Sequence, residues 1–202
     1  MKLYLLVNPY SGGGKGQAAH EAVMPPFDKA GMDLEVIQTT HSGHPQELAN
    51  TLDLNGFDGL CAIGGDGTLG EVVNGLLSRE DGEQIPLGFI PGGSGNSYIR
   101  DIDMLDPVKA VENIIHGTPR KMDVVKLTFQ NDLSPMYVFN IIGWGMVTDI
   151  GIQAENIRWL GESRYTLMSV VEVMKNRSYK ARLRLDDKDI SDEFSFIIFC
   201  NT

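Results

Sequence analysis

The sequence predicts an α/β protein, with an N-terminal three-layer domain on a parallel sheet followed by a second, mostly antiparallel β domain. Three observations predict it. Over residues 1–120 short apolar runs alternate with helical patterns, the arrangement that builds parallel sheets. Glycine-rich turns directly follow three of those runs. From about Lys121 the texture changes to strand-like pieces with a single helical stretch among them.

The elements follow in order. Leu3–Val7 opens the sheet, and Asn8-Pro9 stops the run. Gln17–Ala30 carries small and apolar residues at helical spacing, and Pro25-Pro26 are expected to divide it, because proline removes a helical hydrogen bond and crowds the preceding turn. The alternation continues with strand Leu34–Gln38, helix Pro45–Leu52, strand Gly59–Ile63, helix Leu69–Leu77 and strand Pro86–Ile90. The helix Pro107–Ile115 has a clean start, with Asp106 as N-cap and Pro107 at the first helical position. Beyond it Asp123–Thr128, Met136–Ile142, Ala181–Leu185 and Phe194–Cys200 read as strands, and Tyr165–Met174 reads as the helix. The expected domains are 1–120 and 121–202.

Composition narrows the function. The chain has 202 residues, 42% hydrophobic and 22% charged, which suits a folded globular protein. Seventeen Lys and Arg against 27 Asp and Glu give a formal charge of −10, which argues against broad electrostatic binding to nucleic acid or to an anionic membrane face and leaves room for a local basic pocket. Cys61 and Cys200 sit in apolar runs and form neither a disulfide framework nor a metal spacing, so buried free thiols in a reducing compartment are expected. The N-terminal apolar run is too short for a signal peptide. The longest apolar stretch, Met136–Val147, is interrupted by Asn140, Gly143 and Gly145, so no transmembrane segment is expected.

The glycine-rich turns carry the chemistry. In a parallel sheet all three lie at the carboxyl edge of the strands, where open α/β sheets bind ligands. The first, Asn8-Pro9-Tyr10-Ser11-Gly12-Gly13-Gly14-Lys15-Gly16, is either a flexible turn or a phosphate cradle with Lys15 adding charge, and it lacks the Gly-Lys-Ser/Thr end of a Walker A loop. In the second, Gly64-Gly65-Asp66-Gly67-Thr68, three glycines surround one carboxylate. That favours a general base or a metal-associated group for Asp66 over simple helix capping. Glu71 and Asn74 share a helix face nearby, either as ligand contacts or as a solvated face. The third, Pro91-Gly92-Gly93-Ser94-Gly95-Asn96, offers an unhindered backbone to another part of a nucleotide or to a second substrate.

Together, Asn8-Pro9 with its glycines, GGDGT at 64–68 with EVVNGL at 71–76, and PGGSGN at 91–96 resemble the diacylglycerol kinase catalytic domain superfamily of lipid kinases. GGDGT alone is shared with NAD kinases and phosphofructokinases, whose fold the resemblance implies for the first domain. GWGMVTD at 143–149 and RWLGESRY at 158–165 look like the sphingosine and ceramide kinase branch. The resemblance implies transfer of the γ-phosphoryl group of ATP, with Mg2+, to a lipid hydroxyl of a sphingoid base, ceramide or diacylglycerol. It implies a cytoplasmic protein that meets its lipid peripherally at a membrane surface.

Carried over by position, Asp66 matches the general base. Asn8, Pro9 and Tyr10 match one nucleotide loop, and Thr39, Thr40, His41, Ser42 and Gly43 match a second. Gly64, Gly65, Gly67, Thr68 and Glu71, with Gly92, Gly93, Ser94, Gly95 and Asn96, complete the nucleotide set, and Arg158 and Arg164 match arginines that approach the phosphates. The sphingosine kinase pattern has an acidic residue two positions after Asp149, where this chain has Gly151. That gives weight to ceramide, diacylglycerol or another neutral-headed lipid, and leaves Asp149 as either a substrate contact or a structural residue. The resemblance also runs on past Thr202, through further β structure to an acidic Asp-Gly-Glu segment, which implies that the chain is a fragment with an incomplete, lipid-binding second domain. The alternatives are a non-catalytic nucleotide-binding module, including this fragment being inactive by itself, and a soluble-substrate kinase of the NAD kinase type.

Overall fold

The computed structural model describes residues 1–130, 133–161 and 163–201, with Asp101 and Arg158 represented by backbone alone. It divides into two compact units, Met1–Phe139 and the residues from Asn140 on.

Four parallel strands, β1 (Lys2–Val7), β2 (Asp33–Gln38), β3 (Gly59–Gly64) and β4 (Leu87–Pro91), stand in the order β2-β1-β3-β4. Alternation along β1 sends its side chains to both faces. Leu3, Leu5 and Val7 pack with Ala19, Val23 and Phe27 of α1 (Lys15–Lys29) and Val111 of α5 (Pro107–His116). Tyr4 and Leu6 pack with Ala49 of α2 (His44–Thr51) and with Leu69, Val72 and Val73 of α3 (Asp66–Leu77). The result is the expected three-layer parallel arrangement, because strands covered on both faces read as unbroken apolar runs. Asp106 caps α5 as expected, accepting the N–H groups of Val108 and Lys109.

The division of α1 at Pro25-Pro26 does not occur, and the helix runs through both prolines. The carbonyls they leave unpaired belong to Glu21 and Ala22, which are exposed and open to water, while Val23 and Phe27, one turn apart, are buried and hold the helix down. It ends in a Schellman turn: Gly31, at φ +65°, donates its N–H to Asp28, and Met32 donates to Phe27.

The first unit also holds a five-residue helix, α4 (Ser97–Asp101), and an antiparallel pair, β5 (Val125–Leu127) with β6 (Met136–Val138). Within α3, the Asn74 side chain binds both backbone groups of Tyr137, receiving its N–H at 2.7 Å and donating to its carbonyl at 2.8 Å.

The second unit is built on antiparallel pairs, as expected. β7 (Ile141–Gly145) pairs with β10 (Phe196–Cys200), and β8 (Tyr179–Leu185) pairs with β9 (Lys188–Phe194). It carries two helices, α6 (Met146–Glu155) and α7 (Ser163–Lys175), where one was expected. Gly145 explains the difference. Its φ of +79° ends β7, and a Cβ there would lie 2.8 Å from the Ser195 carbonyl, so the apolar residues after it turn into a helix instead of extending the strand. No helix among the described residues is long and apolar enough to cross a membrane.

Candidate active site at the switch point of the sheet

The strand order reverses between β1 and β3, because the chain goes from β1 to β2 on one side and returns to β3 on the other. The crevice outside the carboxyl ends of two such strands is where open α/β sheets take ligands. Here those ends are Asn8 and the Gly64-Gly65-Asp66 turn.

The three glycine turns are locked together by main chain. The Asn8 N–H donates to the Ile63 carbonyl at 2.9 Å, its side-chain amide donates to Thr68 Oγ1 at 3.0 Å, and the Gly92 N–H donates to the Gly64 carbonyl. A Cβ on Gly16 would fall 1.9 Å from the Asn8 carbonyl oxygen, and one on Gly12 would fall 2.8 Å from that of Gly92. Those glycines serve loop-to-loop contact. Gly13, Gly14 and Gly67 differ, since nothing lies within 4 Å of a Cβ built on any of them. All three are exposed; the Gly14 N–H donates to the Ser11 carbonyl at 3.2 Å, and the backbone of Gly13 and Gly67 is left open at the surface of the turns.

Asp66 is the first residue of α3, after Gly65. Its carboxylate does not cap its own helix. Instead Oδ2 accepts the Ser97 N–H at 3.0 Å and Oδ1 accepts the Tyr98 N–H at 3.4 Å, both from the first turn of α4. Each oxygen keeps a further lone pair, so the half-buried carboxylate is oriented and still able to accept a proton. Asn96 shapes the adjoining turn. It sits at φ +50° and closes a ring with Gly93, accepting its N–H at 3.1 Å and donating to its carbonyl at 3.0 Å, which leaves Ser94 and Gly95 exposed between them.

The loop after β2 lies at the same carboxyl edge. Thr39 is buried and donates its N–H to the Val7 carbonyl at 2.8 Å, extending the β1–β2 pairing. The Ser42 hydroxyl donates to Glu71 Oε1 at 3.3 Å and links this loop to α3. The Thr40 N–H donates to His44 Nδ1 at 3.2 Å, and the His41 and His44 rings stack at 4.8 Å, while Gly43 starts α2 at φ +88°. Tyr10 stands 77% exposed on the first loop, next to Pro9.

The structure therefore brings Asn8, Gly64, Gly65, Asp66, Thr68, Gly92, Gly93 and Asn96 into direct contact, with Ser42 and Glu71 joined beside them. Of the expected residues, Asp149, Arg158 and Arg164 belong to the second unit. Asp149 accepts the Tyr179 hydroxyl, which pushes the Tyr179 pKa up. Arg164 pairs with Glu155 at 3.6 Å and donates to the Tyr165 hydroxyl at 3.1 Å. The Arg158 side chain lies outside the described residues. Sequence reasoning missed Ser97 and Tyr98, whose role is played by backbone and leaves no mark on residue type.

A family model of the diacylglycerol kinase catalytic domain matches residues 2–127. Sphingosine kinase 1 of Arabidopsis thaliana is 35% identical over 195 residues, which is 90% of this chain and 39% of that protein. Sphingosine kinase 2 of Homo sapiens is 34% identical over 196 residues, 90% of this chain and 30% of that protein. Less than half of either relative's length is thus represented. Among solved structures, that of a diacylglycerol kinase from Bacillus anthracis str. Sterne superposes with a TM-score of 0.75 at 25% identity, over 98% of this chain and 63% of the other.

Proposed function

The chain belongs to the diacylglycerol kinase catalytic domain family, and from that premise we propose that it transfers the γ-phosphoryl group of ATP to the hydroxyl of a lipid. The observation that carries the reading is the Asp66 carboxylate, fixed at both oxygens at the switch point by the first N–H groups of α4 and in no ion pair among the described contacts. In the proposed step the lipid oxygen bonds to the γ-phosphorus as its bond to the β–γ bridging oxygen breaks. The hydroxyl proton passes to Asp66, and ADP leaves. The open backbone at Gly13 and Gly67 holds phosphate oxygens, and Asn8, Tyr10, Glu71 and the Thr39–Gly43 loop line the rest of the nucleotide's place. Arg158 and Arg164 are proposed to approach the phosphates.

Among the described residues no group of three His, Cys, Asp or Glu side chains is placed to hold a metal ion by itself. Magnesium bound through nucleotide phosphates takes only one or two protein carboxylates, and Asp66 and Glu71 are available at that edge. When bound, it neutralises charge developing on the phosphate oxygens.

The proposed acceptor is a sphingoid base, ceramide or diacylglycerol. The relatives' names put sphingosine first for testing, while Gly151 and the Tyr179-bound Asp149 favour a neutral head group. The proposed setting is the cytoplasm with peripheral contact to the membrane that holds the acceptor.

The test is transfer of label from γ-labelled ATP to sphingosine, ceramide and diacylglycerol, with NAD as a soluble control, in the chain and in Asp66→Asn. Label is expected in a lipid, and Asp66→Asn is expected to lose about 10²–10⁴-fold in rate while keeping the thermal shift that ATP induces. Equal rates in the two proteins would remove Asp66 from its role, and label in NAD would overturn the lipid acceptor. An ATP-induced thermal shift with no product at all would assign a nucleotide-binding module.

A further inference from the structure

We propose that strand β6 is a brace that sets the orientation of the Asp66 carboxylate, with Asn74 and Phe139 as its positioning residues. The inference rests on the reading of Asp66 as the base and deepens it.

The Asn74 amide is fully used. Its oxygen takes the Tyr137 N–H, and its nitrogen donates to the Tyr137 carbonyl and to the Gly70 carbonyl, each at 2.8 Å. A primary amide offers the donor and acceptor that a neighbouring strand would offer, so Asn74 ties β6 to α3 as if the helix carried a strand edge. Asp66 begins that same helix, about two turns away at 1.5 Å rise per residue. Asparagine is a poor helix former and finds other use for its amide in most helices, so its place in the middle of α3 calls for such a partner. An alanine at this position would leave the paired groups of Tyr137, half-buried against the helix, without partners.

Two residues further on, Phe139 is buried and meets the Tyr98 ring edge-on, with centroids 5.4 Å apart and planes at 85°. Tyr98 is the residue whose N–H reaches Asp66 Oδ1, and its neighbour Ser97 reaches Oδ2. Their helix α4 has five residues, too short to persist by its own hydrogen bonding. Packing must hold it: Ile99 is buried in the core, and the Tyr98–Phe139 pair adds packing from the residue that follows β6. The carboxylate is thus fixed from two directions. Its backbone is on the helix that Asn74 clamps to the brace, and the two N–H groups that orient its oxygens are on the turn that Phe139 holds.

The test is amide hydrogen exchange by NMR in Asn74→Ala and in Phe139→Leu, which keeps an apolar side chain should the first variant fold poorly. Exchange at Ser97 and Tyr98 is expected to rise about tenfold or more in each, with Leu5 and Ala62 in the central strands unchanged, as local rather than global opening requires. Lipid labelling is expected to fall about tenfold or more in kcat with the KM for ATP within about twofold, since neither substituted side chain lines the nucleotide cradle. Unchanged exchange at Ser97 and Tyr98, or an equal rise at all four amides, would overturn the brace, the latter by reducing β6 to general stability. The outcome is separate from that of Asp66→Asn: a fully active Asp66→Asn removes the base, while the exchange pattern alone decides what orients the carboxylate.

Discussion

A Cβ placed on Gly93 would lie 2.4 Å from the Cα of Gly65. The turn after β4 and the turn after β3 therefore meet backbone to backbone, and the neighbour is main chain that cannot rotate away. Gly93→Ala is expected to force the two turns apart at a cost of about 1–3 kcal/mol, lowering Tm by about 2–4 °C for each kcal/mol. Because the displaced turn carries Asn96 and leads into α4, the ATP-induced thermal shift should shrink as well. Calorimetry with and without ATP measures both, and an unchanged Tm would show that the loops are not locked at this point.

Gly67 is the opposite case. It sits in the first turn of α3 with nothing within 4 Å of a built Cβ and no positive φ. Alanine fits there and improves helix propensity by up to about 1 kcal/mol, so Gly67→Ala is expected to fold at least as well as the parent chain. If the open space belongs to phosphate oxygens, the same methyl group intrudes on them, and the variant should gain Tm while its ATP-induced shift falls. A full ATP response in Gly67→Ala would move the phosphate away from this turn.

These two glycines show what residue type reveals and what it conceals. The sheet was legible because Leu3–Val7 and Gly59–Ile63 are buried on both faces and so read as apolar runs. The carboxyl-edge turns were legible because glycine clusters after strands are rare without a need for backbone approach. Which glycine serves a loop contact and which serves a ligand depends on distances such as those at Gly93 and Gly67. Asn74 reads as a helix-face residue because its partner, Tyr137, is 63 positions away. The hold on Asp66 comes from the N–H groups of Ser97 and Tyr98, which any residue but proline would supply. The continuity of α1 through Pro25-Pro26 depends on solvent reaching two carbonyls, and the turn into α6 depends on a single backbone angle at Gly145.

The two thiols should behave very differently. Cys61 is buried in the central sheet as expected, and burial pushes its pKa up to about 12, whereas Cys200 on β10 is exposed, against the expectation from its apolar run. At pH 8 a thiol of that pKa is about one part in ten thousand thiolate, the reactive form. Titration with an aromatic disulfide reagent is expected to find one fast thiol per folded chain, none in Cys200→Ser, and the second only in denaturant. A fast thiol in Cys200→Ser would mean that the β3 layer opens readily.

Arg79 and Asp81 give the fold a dependence on pH. The Arg79 side chain, 4% exposed, donates to the Ala49 carbonyl at 3.1 Å and the Leu52 carbonyl at 2.9 Å, closing the end of α2, and it grips both oxygens of Asp81. The hydrogen bonds from Arg79 hold the Asp81 carboxyl below its ordinary value of 3.8, with the Glu83 N–H adding to the effect. A carboxyl whose pKa is lower in the folded state binds fewer protons there than in the unfolded chain. Its stabilisation is therefore complete above about pH 3.8 and disappears as the pH falls through the lower folded value. Asp81→Asn has no such charge to lose, so the gap between urea midpoints for the parent chain and the variant should be full at pH 6 and narrow progressively as the pH falls below 3.8. Arg79→Leu should cost about 1–3 kcal/mol at pH 7, since it leaves two part-buried carbonyls at the end of α2 without this donor. A parent-to-variant gap for Asp81→Asn that stays constant from pH 6 to pH 3 would mean that the pair contributes shape at the end of α2 and no charge-dependent stability.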